Sequence, residues 1–321
     1  MITGFRNHVA EMRRRLASAV RHRMLSRCRA MPLHSGARDP LEPWVTPGHF
    51  YSPFPDLEDV ERRSATIFDV TRDPTGIDLR ESEQLALFDS LAELLREDLP
   101  FPADTSSGGD SEFRYYFENP AYSWSDGMIL HALLRHIRPR RVVEVGSGYS
   151  SAMTLDTTER WLDRGVEVVF VEPHTELLRS LLRPGDEDRV TIHEAAVQDV
   201  PFDVFTALDD GDILFVDSTH VVKAGSDVNH IFFEVLPRLA VGVWVHLHDV
   251  FFPFEYPMEW LREGRAWQEA HLLRAFLTGN DGFEIRWFQS LMWMRHGALL
   301  ESRLPAMAKN TGGNIWLQKV R

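Results

Sequence analysis

Arg141-Val-Val-Glu-Val-Gly-Ser-Gly-Tyr-Ser-Ser151 reads as a buried strand that runs into a glycine turn and then into a helix. Val142, Val143 and Val145 are β-branched and suit a strand covered on both faces. Gly146 and Gly148 permit left-handed backbone and the close approach of a ligand. Ser150, Ser151 and Thr154 then open a helix whose first amides can receive a polar or anionic group. A Gly-x-Gly turn also caps ordinary strand-to-helix connections, so the segments that follow decide the reading.

Val166-Glu-Val-Val-Phe-Val-Glu172 is a second apolar strand, and it ends in a carboxylate 24 positions after Gly148. In a doubly wound sheet that spacing puts Glu172 at the C-terminal edge of the neighbouring strand, in reach of a ribose diol. The dinucleotide fingerprint asks for glycine where this chain has Ser151, so a nicotinamide oxidoreductase fits poorly.

With Glu144, Gly146, Gly148 and Glu172 in these places, the chain resembles the class I S-adenosylmethionine-dependent methyltransferases, whose first motif runs Glu/Asp-x-Gly-x-Gly. The resemblance covers residues 126–321. It implies a Rossmann-like, doubly wound, seven-stranded mixed α/β sheet. Val190–Asp199 would be the third strand and the turn after it, Asp212–Asp217 the fourth strand and Gly242–Asp249 the fifth. Phe283–Phe288 and Asn314–Lys319 would be the antiparallel closing pair. It also implies a cofactor, S-adenosylmethionine, held by Glu144, Gly146, Gly148, Ser150 and Glu172, with Asp199 or Gln198 on the adenine amino group.

Ligands of open α/β sheets bind beyond the carboxyl ends of the strands. Two polar clusters end strands four and five, Asp217-Ser-Thr-His220 and His246-Leu-His-Asp249. Asp217 and Asp249 should therefore approach one another, and His246 is read as facing away from His248 as a structural residue. The chain is similar here to metal-dependent O-methyltransferases of sugars and natural products. That likeness implies His220 as general base beside Asp217 and Asp249, and Mg²⁺ on Asp217, His248 and Asp249. Histidine at 248 departs from the acidic pair usual there, so a metal-free arrangement stays open. An alcohol attacks a sulfonium methyl poorly unless its proton leaves or a cation lowers its pKa, which is the case for either device.

Polar residues ahead of the first core helix often reach the acceptor in this family. Asn119 and Tyr122 are the substrate candidates there, and Asp126 either caps the helix over 127–137 or contacts ligand. The apolar, proline-pinned segment 248–257 is read as a substrate wall, with Phe254, Glu255 and Tyr256 lining it. The acceptor would be a small polar molecule, a sugar or secondary metabolite. The alternative is a non-catalytic scaffold that keeps the cofactor fold, which only Asp217, His220 and Asp249 can tell from an enzyme.

The rest of the chain sets the frame. A formal charge of −13 argues against a nucleic-acid surface. One cysteine, Cys28, forms no intrachain disulfide and fits a reducing, cytoplasmic setting. No apolar run reaches the ~20 residues that cross a bilayer. Residues 1–30 carry eight arginines against Glu11, a net +7 that leaves −20 for the remainder. Phe5, Val9, Met12, Leu16, Val20 and Met24 recur at helical spacing, giving a basic amphipathic helix. That helix would lie on the chain's own acidic domain, on a second subunit of a homo-oligomer, or on anionic lipid. Residues 31–125 read as a linker arm, with six prolines in 31–60, and a helical cap on the substrate side with a helix over 82–97. The methyltransferase-like domain would be 126–321.

Overall fold

The structure, a computed structural model, describes residues 43–97, 99–104, 112–162 and 165–321. The arginine-rich helix expected at 1–30 lies outside the described residues. The chain divides into two compact units, Met1–Val60 and Glu61–Arg321. In the first, the rings of Trp44 and Tyr51 stack at 5.2 Å and those of His49 and Phe50 at 4.2 Å.

The second unit is built on seven strands: β1 (Arg141–Val145), β2 (Glu167–Val171), β3 (Val190–His193), β4 (Ile213–Val216), β5 (Trp244–His248), β6 (Phe283–Phe288) and β7 (Asn314–Lys319). Their order in the sheet is β3-β2-β1-β4-β5-β7-β6. β1 to β5 run parallel, and β7 runs antiparallel to both β5 and β6. This is the seven-stranded mixed sheet that the sequence implied. The chain winds outward from β1 to β3, then returns to β4 on the other side of β1. The carboxyl ends of β1 and β4 therefore flank the crevice where the winding reverses.

Both faces of the parallel strands are covered, as their near-continuous apolar sequences require. Val143, Val145, Leu214, Val216, Val245 and Leu247 join one core. Val142, Ile213, Phe215, Trp244 and Trp316 join the other, together with helices α1 (Glu81–Glu97) and α2 (Trp124–Ile137). Phe88 of α1 reaches Trp287 of β6 at 5.9 Å between rings. Helix α1 and the segment 112–125 thus share a core with the sheet, and the compact unit begins at Glu61. A cap that buries Phe88, Leu91 and Leu95 against the sheet's own helices is part of the same body.

The reading of His246 is corrected by the pleat. Residues two apart on a strand point to the same face, and the rings of His246 and His248 lie 5.7 Å apart on one side of β5. His246 is nonetheless fully enclosed, stacked on Phe215 at 3.9 Å, and burial followed by the charge of His248 holds it well below the usual imidazole range. It is a neutral core residue.

Candidate active site

The glycine turn forms because β1 and β4 come together at their carboxyl ends. Gly146 has φ of +80°, and a Cβ there would lie 1.7 Å from the carbonyl oxygen of Asp217. No side chain fits that gap. Gly146 N–H donates to Val171 O at 3.0 Å and Asp217 N–H to Val145 O at 2.8 Å, which stitches the ends of β1, β2 and β4 into one edge. Gly148, expected to supply left-handed backbone, is instead extended at φ 178° and precedes helix α3 (Tyr149–Trp161).

Glu144 and Ser150 are turned to a different use from the one expected of them. The hydroxyls of Ser150 and Ser151 donate to Glu144 Oε1 at 2.6 and 2.9 Å, pinning α3 to β1. Ser150 is therefore spent inside the fold, and its hydroxyl is not offered to a ligand. Glu144 is fully buried and its Oε2 has no hydrogen-bond partner among the described residues. Burial pushes this carboxyl up to about 8, against the pull of the two serines.

Glu172 follows β2 and is half-buried. Its Oε2 accepts from Ser147 N–H of the glycine turn at 3.1 Å, and Oε1 accepts from His174 N–H at 2.7 Å. Two backbone amides thus aim the carboxylate at the turn while its remaining lone pairs stay available. Beyond β3, Gln198 donates its amide to Gly225 O at 2.8 Å, whereas Asp199 is exposed. Of the two adenine candidates, Asp199 is the freer. The orphaned oxygen of Glu144 and the fixed carboxylate of Glu172, on either side of the Gly146 turn, suit an adenosyl group with a cationic amino-acid end.

At the next edge Asp217, His220 and Asp249 do meet, as their places after β4 and β5 require. His220 is 5% exposed and has φ of +60°. Its Nε2 lies 3.4 Å from Asp217 Oδ1 and 3.7 Å from Asp249 Oδ2. Its Nδ1 lies 2.7 Å from Glu269 Oε2. Glu269 opens helix α4 (Glu269–Leu277) and was not foreseen. Burial opposes charge on the ring, but hydrogen bonds to Asp217 and Glu269 outweigh it and raise His220 to about 10. That shift favours the protonated ring and works against the role of general base expected of His220.

The neighbouring charges follow from that cation. His248 is buried, and although burial works against its charge, Asp217, Asp249 and Asp126 raise it above the usual imidazole range. Burial would raise Asp217, but His248 and His220 draw it below the usual carboxylate range. Asp249 is raised, chiefly by burial. Its Oδ1 stands 3.7 Å from His248 Nε2 and its Oδ2 3.7 Å from His220 Nε2, both beyond hydrogen-bond distance.

Asp217, His248 and Asp249, the metal set implied by the resemblance, do not fit Mg²⁺. That ion wants several oxygen donors converging on one point. Here the two carboxylates face ring nitrogens of His220 and His248 at 3.4 to 3.7 Å and raise the proton affinity of both rings. No group of three or more such side chains among the described residues could hold an ion.

The substrate candidates also move. Asn119 is spent on its own turn, donating to the carbonyls of Tyr116 and Tyr122 at 2.7 and 2.9 Å and accepting from Tyr122 N–H at 2.6 Å. Tyr122 is buried with its ring 5.0 Å from His248 and its hydroxyl unpartnered among the described residues. Asp126 neither caps α2 nor faces the crevice, because its Oδ1 accepts from Asn314 Nδ2 at 2.6 Å at the start of β7. Phe254 and Tyr256 are core residues, the first against Phe288 at 5.2 Å and the second accepting from Ala270 N–H at 3.1 Å. Glu255 pairs with His271 at 3.0 Å. The half-buried Trp267 packs its ring 4.5 Å from that of His220.

A methyltransferase-domain family matches residues 143–250 of this chain. An uncharacterized protein of Archaeoglobus fulgidus is 30% identical over 201 residues, 61% of this chain and 88% of that protein. Among solved structures, an S-adenosylhomocysteine-bound methyltransferase of Podospora anserina shares 18% identity, with 82% of this chain and 96% of that one covered and a TM-score of 0.40. An O-methyltransferase of tomaymycin synthesis from Streptomyces achromogenes, complexed with S-adenosylmethionine, shares 17% at the same coverage and TM-score.

Proposed function

From the premise that this chain belongs to the class I S-adenosylmethionine-dependent methyltransferases, we propose that it methylates a hydroxyl oxygen of a small polar acceptor without a metal ion. The observation that carries this reading is the cluster of Asp217, His220, Asp249 and Glu269 at the carboxyl ends of β4 and β5. Glu144, the Gly146 turn, Glu172 and Asp199 would hold the cofactor, and S-adenosylmethionine when bound supplies an electrophilic methyl group. The acceptor oxygen forms its bond to that methyl carbon as the carbon–sulfur bond breaks, and the hydroxyl proton must leave.

Asp249 receives that proton. It is a carboxylate whose affinity for protons is raised by burial and whose oxygens are not committed to a hydrogen bond. His220 and His248, each with its proton affinity raised by neighbouring carboxylates, stand on either side of it and favour the negative charge that develops on the acceptor oxygen. Transfer to a panel of sugars, phenols and hydroxy acids, in the presence of chelator, tests the assignment. Turnover of a hydroxyl compound that survives chelator supports it; transfer only to nitrogen or sulfur, or activity that chelator abolishes and Mg²⁺ restores, refutes it.

A further inference from the structure

The loop after β4 is fastened to the start of α4 by more than one bond. Backbone amides of Gln268 and Glu269 donate to His220 O at 3.0 and 3.2 Å. Gln268 Oε1 accepts from Val222 N–H at 3.1 Å. The α4 terminus is held in turn by Tyr256, whose hydroxyl accepts from Ala270 N–H. Glu269 is 1% exposed, with Oε2 at 2.7 Å from His220 Nδ1 and Oε1 unpartnered among the described residues. A buried carboxylate is costly unless its charge is used. Its one partner is the ring that faces Asp217 and Asp249.

We propose that Glu269 is a positioning residue, fixing the His220 imidazole so that Nδ1 is bound from behind and Nε2 is presented to Asp217 and Asp249. An imidazole turned over about its Cβ–Cγ bond would point carbon where Nε2 now stands, and the proton-accepting cluster would lose one wall. Trp267, packed on the ring, limits tilt but offers no directional bond, so orientation rests on the carboxylate. The inference depends on the function proposed above only for its consequence in turnover.

The test compares Glu269→Gln and Glu269→Ala in the full chain loaded with S-adenosylhomocysteine. In the parent, ¹⁵N-edited NMR should show a far-downfield, slowly exchanging imidazole N–H, assigned by its disappearance in His220→Gln. Glu269→Ala should abolish that signal and Glu269→Gln move it upfield, both with S-adenosylhomocysteine affinity within about threefold of the parent. An unchanged signal in both variants overturns the proposal. With an acceptor in hand, kcat should fall about 10²-fold in Glu269→Ala while KM stays close to the parent's, as misplacement near 1 Å implies. Loss of the signal with undiminished kcat also overturns the proposal, whereas failure of every hydroxyl acceptor in the parent refutes the function and leaves the NMR result to decide Glu269.

Discussion

If His220 is held as an imidazolium, the stability of the protein should fall steeply with pH in a window set by that one ring. In the folded protein the ring is raised to about 10, above the ordinary imidazole value of 6.5. For a group raised on folding, the stabilisation is fully present below the unfolded pKa and is lost as pH climbs through the folded one. Glu144 also drains stability as pH rises, but with a folded value of about 8 its share has nearly run out by about pH 9. Between about pH 8 and 9.5, a ring titrating near 10 gives up about 2 kcal/mol at ~1.4 kcal/mol per unit. With an m-value of ~3 kcal/mol/M, the urea midpoint should drop by roughly 0.6 M across that range. His220→Gln should be less stable at pH 8 and should show little of this slope. Urea titrations followed by tryptophan fluorescence at several pH values measure both. Parent and variant slopes that coincide would mean His220 is neutral in the folded protein, and the role of proton acceptor would return from Asp249 to His220.

Glu172→Ala should weaken S-adenosylhomocysteine binding by roughly ten- to a hundredfold, the ~1.5–3 kcal/mol of a charged hydrogen-bonding partner, read by calorimetry. Gly146→Ala should cost both stability and cofactor affinity, because a Cβ would collide with the Asp217 carbonyl; denaturant midpoints equal to the parent's would contradict the observed turn. Asp249→Asn should reduce turnover by the ~10²–10⁴ of a positioned proton transfer, with S-adenosylhomocysteine affinity nearly intact; equal losses in binding and rate would place Asp249 in the cofactor site instead. Deleting residues 1–31 should leave that affinity unchanged, since Glu144, Gly146, Glu172 and Asp199 all lie downstream.

The strand pattern was legible because a parallel strand covered on both faces must be apolar almost throughout, and because only a small set of residues can end one. Val142–Val145, Ile213–Val216 and Trp244–His248 show that pattern, and the clusters that follow them had to land on one edge once the winding order was known. Gly146 was readable for a similar reason: its backbone need is local. Orientation was harder. His246 and His248 share a face by the plain period of two, and the same pleat buries one and exposes the other to carboxylates only because of what β4, β7 and α2 bring alongside.

What the sequence by itself determined is therefore the sheet, the glycine turn after β1 and the edge where charged side chains gather, all of which follow from local periodicity and residue type. Only the tertiary structure decided which of those charges are free to act. Glu269 lies 49 residues from His220 and no spacing announces their contact, yet it helps make the histidine a fixed cation. Ser150, Asn119, Phe254 and Tyr256 have the right chemistry and are consumed by the core or by their own turns. Protonation and availability depend on burial and on neighbours brought from distant segments, and those are properties of the folded chain alone.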